Sequence, residues 1–229
     1  MDSHSQETLR RVEENDAELT ELRICEASRD GVFISTDGAD FSRLGAAIGK
    51  NTHLQRLAVH AVALGVTNNE FYEGLKQNSS IHNLALRCQI SNIAGGVGQK
   101  MLEAYQQNNN LTLLHINVAG LQNGGEHVIA QTLRRCANLK NLYLASGNIT
   151  DEQLLPIIID GLRGHRSLEH LNLNRNRIGN DGCEIIATLL SDPISNLHTL
   201  HLSDNLIGVE GAVTLVNSLA NNTKLGNSS

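Results

Sequence analysis

A pattern of the form L-x-x-L-x-L recurs seven times along this 229-residue chain and constrains its fold more than any other feature. It reads Leu19-Leu22-Ile24, Leu54-Leu57-Val59, Ile81-Leu84-Leu86, Leu111-Leu114-Ile116, Leu139-Leu142-Leu144, Leu168-Leu171-Leu173 and Leu197-Leu200-Leu202. Successive starts lie 35, 27, 30, 28, 29 and 29 residues apart, and an eighth, Leu225, follows after 28 more. A near-constant period of this length marks a repeat architecture, in which each unit buries its apolar face only against its neighbours.

Two periodicities alternate inside each unit. Leu171-Asn-Leu173 alternates apolar and polar residues, as a strand with one buried face requires. About eight residues later the spacing turns helical: Ile186, Leu189 and Leu190 share a face, as do Leu215, Val216 and Leu219, and Ile129 and Leu133. Thr67 with Glu70, and Thr150 with Gln153, fit capping boxes that start helices. Gly125, Gly182 and Gly211 share one position in the first helical turn, where a missing side chain permits close packing. Pro156 falls inside the fifth helix and is expected to bend it or shift its start. Strand, turn, helix and turn at one period predict an α/β solenoid, with parallel strands on a concave wall and helices on the convex side. With 34 Leu against 6 aromatic residues and no Trp, its core is aliphatic.

The segments Leu168-Glu-His-Leu-Asn-Leu-Asn-Arg-Asn-Arg-Ile-Gly-Asn-Asp-Gly182 and Leu197-His-Thr-Leu-His-Leu-Ser-Asp-Asn-Leu-Ile-Gly-Val-Glu-Gly211 resemble leucine-rich repeats of the ribonuclease-inhibitor type. The resemblance runs from about Thr8 to Leu225 and implies a horseshoe that binds other proteins. Asn176 and Asn205 match the family's ladder asparagine, whose amide bonds adjacent backbone turns. Val62, Gln89, Ala119 and Gly147 stand at that position in earlier repeats, so less regular turns are expected there. Ran GTPase-activating proteins are built of similar repeats, which makes a GTPase regulator the enzyme-linked alternative. A fragment of a longer repeat array is another.

Composition narrows the classes further. No apolar run approaches the length of a membrane span, and Met1-Asp-Ser-His-Ser-Gln-Glu7 lacks the basic and apolar regions of a signal peptide. A cytoplasmic location without membrane attachment is therefore expected. Net charge of -6 and a pI near 5.9 argue against general nucleic-acid binding. Cys25, Cys88, Cys136 and Cys183 form no CxxC pair. Cys136 and Cys183 read as core residues, Cys25 and Cys88 as accessible strand ends. Residues 1–18, with a helix over Glu7–Glu18, read as an N-terminal cap. Residues 19–229 read as one repeat domain of seven units and a truncated eighth.

Alternation in the strands exposes three columns of side chains on the concave wall. The first is Glu21, Arg56, Asn83, Leu113, Asn141, His170 and Thr199; the second is Arg23, Ala58, Ala85, His115, Tyr143, Asn172 and His201. The third is Cys25, His60, Arg87, Asn117, Ala145, Asn174 and Ser203. From these, Arg56, Arg87, His115, Tyr143, His170, Asn172 and His201 are the expected contacts for a protein partner, with Tyr143 as the aromatic anchor. The alternative is a hydrated polar wall with no ligand. His170 and His201 lack a third metal ligand. Ser203, His201 and Asp204 are adjacent on a strand whose alternation leaves Asp204 poorly placed to orient His201. The glycines at 95, 96, 98, 124 and 125 lack the spacing of a phosphate loop. No catalytic residue, metal or cofactor is expected.

Two local departures carry further expectations. The first interval is longer than the rest, which predicts a projecting loop near residues 26–36 and a helix from about Asp37 through Phe41, Leu44 and Ile48 to Asn51. The incomplete unit opening at Leu225 predicts an uncovered edge beside Leu200, Leu202, Leu215 and Leu219, where the chain could self-associate.

Overall fold

Each apolar strand position lands beside its counterpart in the next repeat, and the result is one parallel sheet. The computed structural model describes residues 1–25, 32–35, 37–60, 69–88, 97–106, 110–118 and 124–220, the side chains at 87, 88, 97 and 118 apart. In chain order the elements begin with α1 (Ser3–Glu13), β1 (Glu21–Ile24), β2 (Val32–Phe33), α2 (Gly38–Lys50), β3 (Arg56–His60) and α3 (Asn69–Gln77). They continue with β4 (Asn83–Cys88), α4 (Val97–Gln106), β5 (Leu113–Val118), α5 (Gly125–Arg135) and β6 (Asn141–Tyr143). Then come α6 (Asp151–Pro156) with a π-helical turn over Ile157–Leu162, β7 (His170–Asn172), α7 (Asn180–Leu190), β8 (Thr199–His201) and α8 (Val209–Leu219). The eight strands are ordered β2-β1-β3-β4-β5-β6-β7-β8, as an α/β solenoid requires.

Strand register aligns Leu22, Leu57, Leu84, Leu114, Leu142, Leu171 and Leu200 in a single row. All but Leu200 are fully buried, and the row forms part of one continuous aliphatic cluster. Each buried Leu contributes about 1.5–3 kcal/mol of burial free energy, which no isolated repeat could realise. Ahead of each strand a backbone ladder joins the units. The Thr20 carbonyl accepts the amides of Gln55 and Arg56 at 2.8 and 3.1 Å, and Gln55, His82, Thr112, Lys140 and Glu169 repeat the arrangement. Side chains take no part in these bonds, so unlike residues serve at the same place.

The helices follow the local signals closely. Asp37 caps α2 by accepting the Ala39 amide at 2.9 Å, and α2 ends at Asn51 as the apolar spacing predicts. Thr150 opens α6, its amide donating to Gln153 Oε1 at 3.2 Å, whereas Thr67 lies outside the described residues. Pro156 leaves the start of α6 in place, at Asp151 after the Thr150 cap. The next turn widens to π-helix instead, and the Arg163 amide reaches five residues back to the Ile158 carbonyl at 2.8 Å. A Cβ on Gly182 would overlap Asp151 Oδ1, and one on Gly211 would crowd Asn180, which accounts for glycine at these two places.

Four expectations need correction. The first helix runs over Ser3–Glu13 rather than Glu7–Glu18, because Asp2 caps it from the Ser5 amide at 2.7 Å and Asn15 turns out of it at φ 56°. Within the expected projecting loop, Val32 and Phe33 are fully buried as β2, parallel to β1 at the edge of the sheet. The Ile34 amide donates to Ser5 Oγ at 2.9 Å, tying this edge to α1. Residues 26–31 and 36 lie outside the described residues. Val216 is 66% exposed rather than part of the core face. Cys25 is buried, while the side chain of Cys88 lies outside the described residues. Cys136 and Cys183 do pack inside, and burial pushes the Cys136 thiol up to about 11. Near β8, Leu200, Leu202, Leu215 and Leu219 are partly buried; residues 221–229, with Leu225, lie outside the described residues.

Candidate functional site

The open face of the sheet, turned away from the helices, carries the polar strand residues. Register places Glu21, Arg56, Asn83, Leu113, Asn141, His170 and Thr199 in one row across the repeats. It places Arg23, Ala58, Ala85, His115, Tyr143, Asn172 and His201 in a second. Alternation explains both rows, since each residue flanks a Leu of the inward row. In the third row only His60, Arg87 and Asn117 pair as strand residues, and the side chain of Arg87 lies outside the described residues.

The second row changes character along its length. Arg23 opens it, held by Glu21 at 2.7 Å, and that carboxylate also faces Arg56 at 3.8 Å. Hydrogen bonding to Glu21 raises the Arg23 pKa further above its usual value. Ala58 and Ala85 follow, both buried, and their short side chains leave a cavity of about 100 Å³ between Arg23, Arg56 and His60. This trough was not among the expectations from sequence, although two consecutive alanines in one column mark it. Beyond it stand His115 and Tyr143, half-buried, with ring centroids 5.7 Å apart and planes tilted by 48°. Asn172 and His201 complete the row; Asn172 Oδ1 accepts the Asn174 amide at 3.0 Å, and His201 is exposed.

This surface offers hydrogen bonds and ring faces on a rigid support. Among the described residues no three His, Cys, Asp or Glu side chains gather as a metal ion requires. Asp204 pairs with Arg175 at 3.4 Å. Among the described residues, no helix is long and apolar enough to cross a membrane.

The turns after the strands are held by side-chain ladders. Asn176 donates to the carbonyls of Leu144 and Leu173, both at 2.9 Å, and accepts the amides of Gly147 and Ile149 at 3.0 Å. Asn205 repeats this one unit on, donating to Leu173 at 3.0 Å and Leu202 at 2.9 Å. Val62, Gln89 and Ala119 lie outside the described residues. At the helix starts Asp151 accepts the Gly179 amide at 2.7 Å, and Asn180 accepts those of Gly208 and Gly211 at 2.9 and 3.1 Å.

The family described as Leucine Rich repeat matches residues 164–187 and 194–216, the two units in which the Asn176 and Asn205 ladder is formed. The chain is 29% identical over 155 residues to NACHT, LRR and PYD domains-containing protein 14 of Mus musculus, covering 65% of this chain and 15% of that protein. It is 38% identical over 63 residues to NACHT, LRR and PYD domains-containing protein 13 of Homo sapiens, covering 28% and 6%. It thus spans a small part of these relatives' lengths. The tropomodulin C-terminal domain of Caenorhabditis elegans aligns over 96% of this chain and 93% of its own, at 13% identity and a TM-score of 0.43. With seven Leu-paired strands in one parallel sheet and the family pattern in the last two units, the chain is a leucine-rich repeat protein.

Proposed function

We propose that the chain is a non-enzymatic protein-interaction module whose partner docks on the open face of the sheet. The observation that carries this reading is the adjacent His115 and Tyr143 pair, at 5.7 Å, in a row that continues into Asn172 and His201. Tyr presents a large contact area at low entropic cost, which is why aromatic anchors dominate many interfaces. Asn172 and His201 extend the contact on one side, with His170 beside them, while Arg56 and Arg87 flank it toward β1. Repeats of this kind typically serve as binding surfaces, and the intervals of 27 to 30 residues after the first support the ribonuclease-inhibitor type. Residues 1–18 act as a cap on a single repeat unit over 19–229. The Asn51 side chain, donating to the Val12 carbonyl at 3.2 Å, supports that division of labour.

The test is capture by the immobilised chain and by its Tyr143→Ala/His201→Ala variant, followed by titration of the recovered protein. Loss of a central aromatic costs on the order of 2 kcal/mol, roughly thirtyfold in affinity. The thermal melt should barely move, since both side chains point away from the core. Equal affinity for the two proteins would refute the open-face reading.

A further inference from the structure

On the helix side of the solenoid, two successive repeats concentrate positive charge that the chain itself leaves unanswered. Arg134 lies in the last turn of α5, Arg163 ends the π-helical turn, and Arg166 sits in the turn before β7. All three are exposed, and they line one groove of about 430 Å³ together with Ala137, Gly161 and Gly164. None of the three has an ion pair or side-chain hydrogen bond among the described residues, in a chain with 24 acidic residues against 18 basic ones.

The acids neighbouring these arginines in sequence are absent or held elsewhere, Asp160 apart. No Asp or Glu occurs from His127 to Thr150. Glu169 is held by Lys140 at 3.1 Å. Asp192 accepts the Gly164 and Ile194 amides at 3.0 and 3.1 Å, which fixes the turn at one end of the groove. Asp160, exposed one turn before Arg163, makes no ion pair among the described residues. The helix dipole explains a preference for Arg at the end of α5, but it leaves the guanidinium free and does not reach Arg163 or Arg166.

We propose that this groove binds an acidic peptide segment of a protein partner, its carboxylates taken by Arg134, Arg163 and Arg166. A guanidinium presents two parallel N–H donors that match a carboxylate, and three such groups from two repeats give a short acidic stretch several anchoring points. The small residues of the lining, Ala137, Gly161 and Gly164, let a peptide backbone approach closely. The net charge of -6 repels a long polyanion beyond the groove and so favours a short segment over nucleic acid or an anionic membrane. The groove stands apart from the open face, so this proposal and the one above fail independently.

The probe is a fluorescein-labelled hexaglutamate peptide, titrated by anisotropy against the full chain at low salt. The expected result is saturable binding that weakens at least tenfold in Arg134→Gln/Arg163→Gln/Arg166→Gln, with an unchanged thermal melt. A control variant, Lys50→Gln/Lys76→Gln/Lys100→Gln, removes the same charge elsewhere and should stay within twofold. Absence of binding, or equal weakening in both triple variants, overturns the groove. Tighter binding of a single-stranded oligonucleotide, or of phosphatidylserine vesicles, lost in the arginine triple, overturns the peptide assignment. Loss of peptide binding in Tyr143→Ala/His201→Ala would place the contact on the open face and also overturn it.

Discussion

The side-chain amide of Asn78 donates to the backbone carbonyl of Asn51 at 2.8 Å, tying together two residues that hold the same place in successive repeats. Asn78 also donates to the Ile48 carbonyl at 2.7 Å, and its oxygen accepts the amides of Ser80 and Ile81 at 3.0 and 2.8 Å. Asn51 does likewise one unit earlier, donating to Val12 and accepting from His53 and Leu54 at 2.9 and 2.8 Å. The N-terminal repeats therefore carry a ladder at the turn from helix to strand, as the C-terminal repeats carry one at the turn from strand to helix.

Replacing Asn78 by Ala takes the acceptor from the Ser80 and Ile81 amides in a nearly dry site, since Asn78 is 1% exposed, while the Ile48 and Asn51 carbonyls each keep one donor, the Asn51 amide and the Ser80 hydroxyl. Leaving buried groups unpaired costs about 1–3 kcal/mol each, relieved where water enters. The expected loss is about 3 kcal/mol, read from the urea midpoint. Asn176→Ala should cost a similar amount through the other ladder. An Asn78→Ala loss below about 1 kcal/mol would show that the ladder is ornamental.

Gly45 and Gly74 let α2 and α3 touch backbone to backbone. A Cβ on Gly74 would overlap the Gly45 carbonyl, and one on Gly45 would press on Phe71 Cα and the Glu70 carbonyl. These contacts are main-chain atoms, which cannot swing aside as a long side chain can. Gly74→Ala should therefore cost about 3 kcal/mol or more despite the better helix propensity of Ala. Ala at Gly49, whose nearest new contact would be the Gln77 side chain at 3.2 Å, should cost less. Paired denaturation curves check the order.

The sheet was legible because burial on one face of a strand forces strict alternation, and the Leu rows kept it across every unit. Both polar rows of the open face follow from the same rule. What escaped did so for physical reasons. β2 lies in an insertion with no counterpart in other repeats, so Val32 and Phe33 had no register to match. The Asn51 and Asn78 ladder is written as an Asn three residues before each first apolar position. Its place is taken later by Cys136 and His165, and no single residue type marks it. The arginine groove arises from side chains one repeat apart in sequence, where charge alone gives no geometry. The trough at Ala58 and Ala85 is the inverse case: small residues are silent until their neighbours are placed.

His165 occupies the ladder position of Asn51 and Asn78 and performs the same task with a ring. Its Nε2 lies 3.1 Å from the Cys136 carbonyl, and its Nδ1 accepts the Leu168 amide at 3.2 Å. That pair of bonds requires the neutral ring with the proton on Nε2. Burial pushes its pKa below the usual histidine value, opposed in part by the bond to Cys136. The unfolded chain takes up this proton near pH 6.5, whereas the folded chain resists it. The contribution of His165 is therefore fully present above about pH 6.5 and is lost as pH falls through the lower folded value. Asn at this place supplies one donor and one acceptor without a titrating group. His165→Asn should lie within about 1 kcal/mol of the parent at pH 7.5, while His165→Ala should lose about 2 kcal/mol. Between pH 7.5 and 5 the parent should lose more stability than the Asn variant in urea unfolding. Equal losses would mean that His165 carries no pH-dependent part of the fold.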